Sequence, residues 1–297
     1  MTNTLGPDPH AANAWSRRRA AIAAAPPAER AALLAAEARA ARRDIVRTIG
    51  HARLGHIGGD LSIIDVLTTL YNGVLHVTPE EPEWPARDRL VLSKGHCSCA
   101  LYVTLARAGF ISRSDLADFA ADLSPLNGHP AHGKVPGVEF STGPLGHGLP
   151  EAVGVAMGMR LQAGRNRVYV VIGDGELQEG SNWEAAMAAS QYGLANLVAT
   201  VDRNRLQQGA RTEETNHLEP LADKWAAFGW KVIEVNGHDH GQLLSAYQSE
   251  SDGRPTMIIA HTVKGKGVSF MEDRVEWHHK VPTEDQVSQA LAELSND

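Results

Sequence analysis

The chain has 297 residues, 43% of them hydrophobic and 21% charged, enough for one large α/β unit with a sizeable core. A net charge of −7 disfavours nucleic acid as the main partner, and no apolar run is long enough to cross a bilayer. Two cysteines two positions apart, Cys97 and Cys99, make neither a disulfide framework nor a zinc set, which points to a reducing, cytoplasmic compartment.

In chain order, an Ala/Arg-rich segment comes first. "PPAERAALLAAEARAARRDIV" places good helix formers behind a proline start, so residues 1–42 are expected to be a helical arm and 43–297 the α/β domain. From residue 89 strands and helices alternate. "RLVLS" is a strand, and the helix after "GHCSCALYVTLARAG" ends at Gly109. "LPEAVGVAMGMRLQAG" is a helix, "RVYVVIG" a strand, "NWEAAMAASQYG" a helix and "NLVATVD" a strand. "PLADKWAAFG", "WKVIEV", "GQLLSAYQSE", "PTMIIAHT" and "TEDQVSQALAEL" continue the pattern to a final helix. Continuous apolar strands between helices imply a parallel sheet covered on both faces, with ligands at the carboxyl ends of the strands.

Those ends carry the most polar and most flexible segments. After "VYVVI" come Gly173, Asp174 and Gly175; after "NLVAT" come Asp202, Arg203 and Asn204; after "MIIA" come His261 to Gly267, with Lys264 and Lys266. Asp174 and the Asn204 amide are hard oxygen donors, and the carbonyl of Leu206 can add a third. Such a set suits Mg²⁺, which fills its remaining positions with phosphate and water. Glycines beside Asp174 let backbone approach a phosphate, and the helix opening near Gln178 favours an anion. By spacing alone, a plain βα turn and a metal–diphosphate site stay about equally open.

The block "GDGELQEGSNWEAAMAASQYGLANLVATVDRN" is similar to the thiamine diphosphate motif, which runs from GDG to an asparagine pair about thirty residues on; here Arg203 stands at the penultimate place and Asn204 is kept. "RLGHIGGDLSIIDVLTTLYNGVL", "DRLVLSKGHCSCALYVTLARAG", "LNGHP", "STGPLGHGLPEAVGVAMGMR" and "AHTVKGKGVSFMEDRVEWHHKVP" resemble transketolase, in particular the amino-terminal subunit of a split, two-chain transketolase. The resemblance covers about residues 43–283.

That resemblance implies a thiamine diphosphate-binding fold and transfer of a two-carbon ketol unit from a ketose to an aldose. Asp174, Asn204 and the Leu206 carbonyl would bind Mg²⁺, with Ca²⁺ or Mn²⁺ as substitutes. Gly143 and Leu145 would flank the cofactor, and Gly173, Gly175 and Glu179 would lie near the diphosphate or a subunit contact. His147, where glutamine is usual, would touch the cofactor, and Lys264 would approach the diphosphate or the substrate mouth. His56, His96, His129 and His278 would line the substrate channel, with His278 favoured over His279. The glutamate that activates the cofactor's pyrimidine ring belongs to a second domain, expected on a separate partner chain in an α₂β₂ assembly. The competing readings are another thiamine diphosphate enzyme (a 2-oxoacid dehydrogenase of the alpha type or a deoxyxylulose phosphate synthase) and a non-catalytic subunit of the same fold. Among the other histidines, His10, His51, His76 and His217 read as surface or local structure. The pairs "HPAH" (His129, His132) and "HDH" (His238, His240) lack a second ligand pair for zinc.

Overall fold

The computed structural model describes residues 5–162, 164 and 166–295. In chain order it forms α1 (Pro9–Ala24), α2 (Pro27–Ala52), α3 (Ile57–Thr69), β1 (Arg89–Leu92), α4 (Ser98–Ala108), α5 (Gly148–Leu161), β2 (Val168–Gly173), α6 (Gly180–Gln191) and β3 (Leu197–Arg203). There follow α7 (Thr212–Thr215), α8 (Leu221–Ala227), β4 (Lys231–Asn236), α9 (His240–Tyr247), β5 (Thr256–His261) and α10 (Glu284–Glu293). The strands make a parallel sheet in the order β1-β2-β3-β5-β4.

Each residue of β2 and β3 is buried, as expected for strands covered on both faces. Alternate side chains feed two cores. Tyr169, Val171, Val198 and Ile258 join the residues of α2, α3, α4 and α9, whereas Val168, Val170, Leu197 and Met257 join those of α5, α6 and α8. Register pairs Gly173 with Asp202 and Arg203 with His261, so β2, β3 and β5 end side by side and release their loops at one edge.

The helices end where their chemistry dictates. Gly109 takes φ 92°, the left-handed conformation that closes α4. Pro27 opens α2, and Thr283 with Gln286 forms a reciprocal cap on α10. The expected boundary at 42/43 falls inside α2, which continues unbroken to Ala52; Ala41 and Ile45 on that helix pack in one cluster with Trp15 of α1. No helix among the described residues is long and apolar enough to cross a membrane.

Candidate active site

Four strand ends build one concavity. β1 leads into Ser93, Lys94 and the turn Gly95–Cys97 that carries His96; β2 delivers Asp174; β3 delivers Asn204; β5 leads to Lys264. His56 caps the start of α3 beside them.

The floor is a network of buried charges. Asp174 is 2% exposed; its Oδ1 accepts from Gly175 N at 2.8 Å, and its Oδ2 accepts from Arg205 N at 2.5 Å and Arg203 Nη1 at 3.1 Å. Burial and the neighbouring Asp202 push its carboxyl pKa up, against the pull of Arg203. Asp202 accepts from the Lys94 ammonium, from Ser62 Oγ at 2.6 Å, from the Thr262 hydroxyl and from Asn204 Nδ2 at 3.1 Å. Lys94, despite burial, is held well above the usual lysine range by that carboxylate. With Nδ2 tied to Asp202, the Asn204 amide is fixed, and its Oδ1 accepts from Leu206 N at 3.1 Å.

These residues fit a divalent cation with a diphosphate. Asp174 Oδ1 and Asn204 Oδ1 each accept one hydrogen bond and each retain acceptor capacity. The raised Asp174 pKa marks an anion that a cation would relieve. The cradle also has no room for side chains. A Cβ on Gly175 would fall 2.9 Å from that of Gln207, and one on Gly146, whose φ is +78°, 2.5 Å from that of Glu179. Gln207 Oε1 and Thr142 Oγ1 are buried and lack a hydrogen-bond partner among the described residues.

The rim is imidazole. The His56 ring lies 5.1 Å from His96, 6.4 Å from His129, 5.7 Å from His278 and 4.5 Å from His279, centre to centre, and His96 stacks on His278 at 5.4 Å. All four expected channel histidines thus meet, and His279 joins as a fifth ring rather than an alternative to His278. Burial, then the neighbouring His279, lowers His56 to about 4; burial, then Lys264, lowers His278 to about 3; burial, then Lys94, takes His96 well below the usual range. The rings are therefore neutral near pH 7. Lys264 Nζ lies 2.8 Å from His278 Nδ1, and burial, then Lys94, brings the lysine down to about 8. A charged ammonium can only donate, so Nδ1 accepts and the His278 proton sits on Nε2.

The remaining expected residues take different stations. Gly143 lies beside the His129 ring, where an added Cβ would be 3.5 Å from it. Gly173 ends β2 and donates from its N to Glu176 Oε2 at 2.9 Å. Leu145 is exposed and its carbonyl accepts from His147 Nδ1 at 2.9 Å; His147 and Glu179 are exposed on the same side as Gly146. His132 contacts the Val138 carbonyl at 3.3 Å, and His238 and His240 turn inward onto Asp65, away from the loop surface.

Sequence reasoning passed over Ser93, Lys94, Glu176, Arg203 as a partner of Asp174, and Asp202. Glu176 braces the cradle: it accepts from Ser93 Oγ and Gly146 N on Oε1 and from Gly173 N on Oε2. The signal that could have found them was a charged residue directly at the end of each apolar strand, Lys94 after "LVLS" and Asp202 after "LVATV".

The fold and this cradle define a thiamine diphosphate-binding α/β domain. A family model described as "Transketolase, thiamine diphosphate binding domain" matches residues 32–297. One of the two subunits of an apulose-4-phosphate transketolase from Phocaeicola vulgatus is 48% identical over 256 residues, covering 86% of this chain and 91% of the relative. The 6-deoxy-6-sulfo-D-fructose transketolase subunit SqwG of a Clostridium species is 41% identical over 263 residues, 88% of this chain and 96% of the relative. The solved transketolase of Leishmania mexicana superimposes with a TM-score of 0.84 at 29% identity, over 89% of this chain and 41% of that one. The chain belongs to the transketolase family, and it is a transketolase subunit of the transferase class.

Proposed function

We propose that the chain supplies the diphosphate-and-metal half of a two-chain transketolase, moving a two-carbon ketol unit from a ketose to an aldose. The observation that carries this reading is the convergence of Asp174, Asn204 and the four channel histidines at one sheet edge. Asp174, Asn204 and the Leu206 carbonyl hold Mg²⁺, and Lys264 with the amides near Gly143, Gly146 and Gly175 receives the diphosphate. Thiamine diphosphate, when bound, supplies the electron sink for cleavage and formation of the carbon–carbon bond.

The chain's own residues then bind, orient and move protons. Neutral imidazoles at His56, His96 and His278 offer donors and acceptors to sugar hydroxyls and the carbonyl, without a charge that would bind substrate and product alike. His278 presents its Nε2 proton, because Lys264 holds Nδ1. His129, more exposed, stands at the outer end of the channel with Leu145. The partner is a second chain bearing the pyrimidine-binding half, in an α₂β₂ assembly. Relatives matched over almost their full length are themselves named as transketolase subunits, which supports such a division. Their names further suggest that sugars modified away from the common pentose phosphates suit such proteins. The cytoplasm is the compartment, in keeping with the free thiols of Cys97 and Cys99.

The test is to assay ketol transfer with Mg²⁺ and thiamine diphosphate, using the chain alone and mixed with a candidate partner over a panel of ketose donors. Activity only in the mixture supports the reading. Full transfer by this chain alone would refute the divided site.

A further inference from the structure

The "HDH" segment between β4 and α9 is not absorbed by the site, yet both of its histidines are drawn to one buried carboxylate. Asp65, in the middle of α3, is 3% exposed. Its Oδ1 accepts from Arg42 Nη1 at 3.0 Å and lies 3.3 Å from His240 Nε2; its Oδ2 accepts from Arg42 Nη2 and lies 2.6 Å from His238 Nδ1. Burial alone would raise this carboxyl, but Arg42 and the two imidazoles hold it well below the usual range.

What these partners do with their remaining donors and acceptors is directional. Arg42 Nε donates to Lys266 O at 3.0 Å, and Val263 N donates to His238 Nε2 at 2.8 Å. Since Nε2 accepts, the His238 proton is on Nδ1 and is given to Asp65. The two side chains that Asp65 orients therefore grip the backbone on either side of Lys264. Gly265 N donates to Gly58 O at 2.9 Å and Asp273 N to Lys264 O at 3.0 Å, so the segment is also pinned against the turn that carries His56. With its backbone fixed at four successive residues, Lys264 reaches His278 and the diphosphate side of the site from one direction.

We propose that Arg42 and His238, oriented by Asp65, are positioning residues that clamp the 263–266 segment and so aim Lys264 at the cofactor's diphosphate. Neither touches substrate or cofactor. The proposal rests on the reading of Lys264 given under Proposed function, and the two can fail separately.

A double-mutant cycle tests it, with the thiamine diphosphate Kd of the assembled two-chain complex in Mg²⁺ read from tryptophan fluorescence and the Tm recorded alongside. Lys264→Ala and His238→Phe are each expected to weaken the cofactor by about tenfold, because each removes a bond to, or the aim of, a charged group. The double variant is expected to be within about threefold of Lys264→Ala alone, since a clamp has nothing left to aim. Arg42→Lys, which keeps a charge against Asp65 but loses the bond to Lys266 O, should shift Kd in the same direction and carries the test if His238→Phe does not fold. Wild-type affinity in Lys264→Ala would remove the role given to that lysine. A weakened Lys264→Ala beside unchanged Kd in His238→Phe and Arg42→Lys, with only Tm lowered, would overturn the clamp alone. Losses that multiply in the double variant would overturn it as well.

Discussion

The floor and the rim of the cleft are built on opposite principles. On the floor, Asp174, Asp202, Lys94 and Arg203 are each nearly inaccessible and cross-braced by ion pairs and backbone amides. On the rim, no hydrogen bond among the described residues fixes the rings of His56, His96 or His129; they meet only one another and His278 and His279. A buried charge is tolerable only when paired, so the floor is rigid before any ligand arrives. Imidazoles kept neutral by burial need no such bracing, and their donors and acceptors stay open to a sugar. The contrast teaches that holding and reacting are separable here, and substitutions can pull them apart.

The largest effect belongs to the floor. Asp174→Ala is expected to weaken metal-dependent cofactor binding by at least about a hundredfold and to abolish transfer, read by calorimetry with and without Mg²⁺. Retention of cofactor at wild-type affinity would merge floor and rim into one function. Next is Lys94→Met, which strands the Asp202 carboxylate; chemical denaturation should show about 3–5 kcal/mol less stability. His96→Ala follows: turnover falls about a hundredfold while the cofactor Kd stays within the error of wild type, in steady-state assays paired with fluorescence titration. A parallel collapse of Kd would sink the separation.

The smallest effect is one of pH. His56 and His278 are lowered to about 4 and about 3 in the folded state, against an ordinary value of 6.5. As pH falls through 6.5 the unfolded chain takes up protons that the folded rim refuses, so stability declines from pH 6.5 down through about 4. The urea midpoint should drop over that interval, and His56→Phe should drop less steeply. An equal slope in both proteins would show that the ring is already charged when folded.

How far the sequence was legible follows from the same physics. β2, β3 and β5 announce themselves as continuous apolar runs, and Asp174 with Asn204 stands where those runs stop. By contrast α3 gave no helical period, because all of its residues from Ile57 to Thr69 are buried and no polar face alternates with an apolar one. That same burial hid Asp65 and Ser62, polar residues whose partners lie far along the chain in His238 and Asp202. The helical character of the first segment was readable in "PPAERAALL", but its attachment was not. Leu34 buries itself in a cluster with Leu244 of α9, a contact between distant stretches of chain that no local pattern announces. The five-ring rim was visible only as histidines in glycine-containing turns, a pattern that ordinary loops share.

The most direct measurement is a Mn²⁺ titration followed by electron paramagnetic resonance, on the complex with thiamine diphosphate and its partner chain. The account predicts a single tight Mn²⁺ site per copy of this chain that is lost in both Asp174→Ala and Asn204→Ala and kept in His96→Ala. Wild-type Mn²⁺ binding in the first two variants would contradict it.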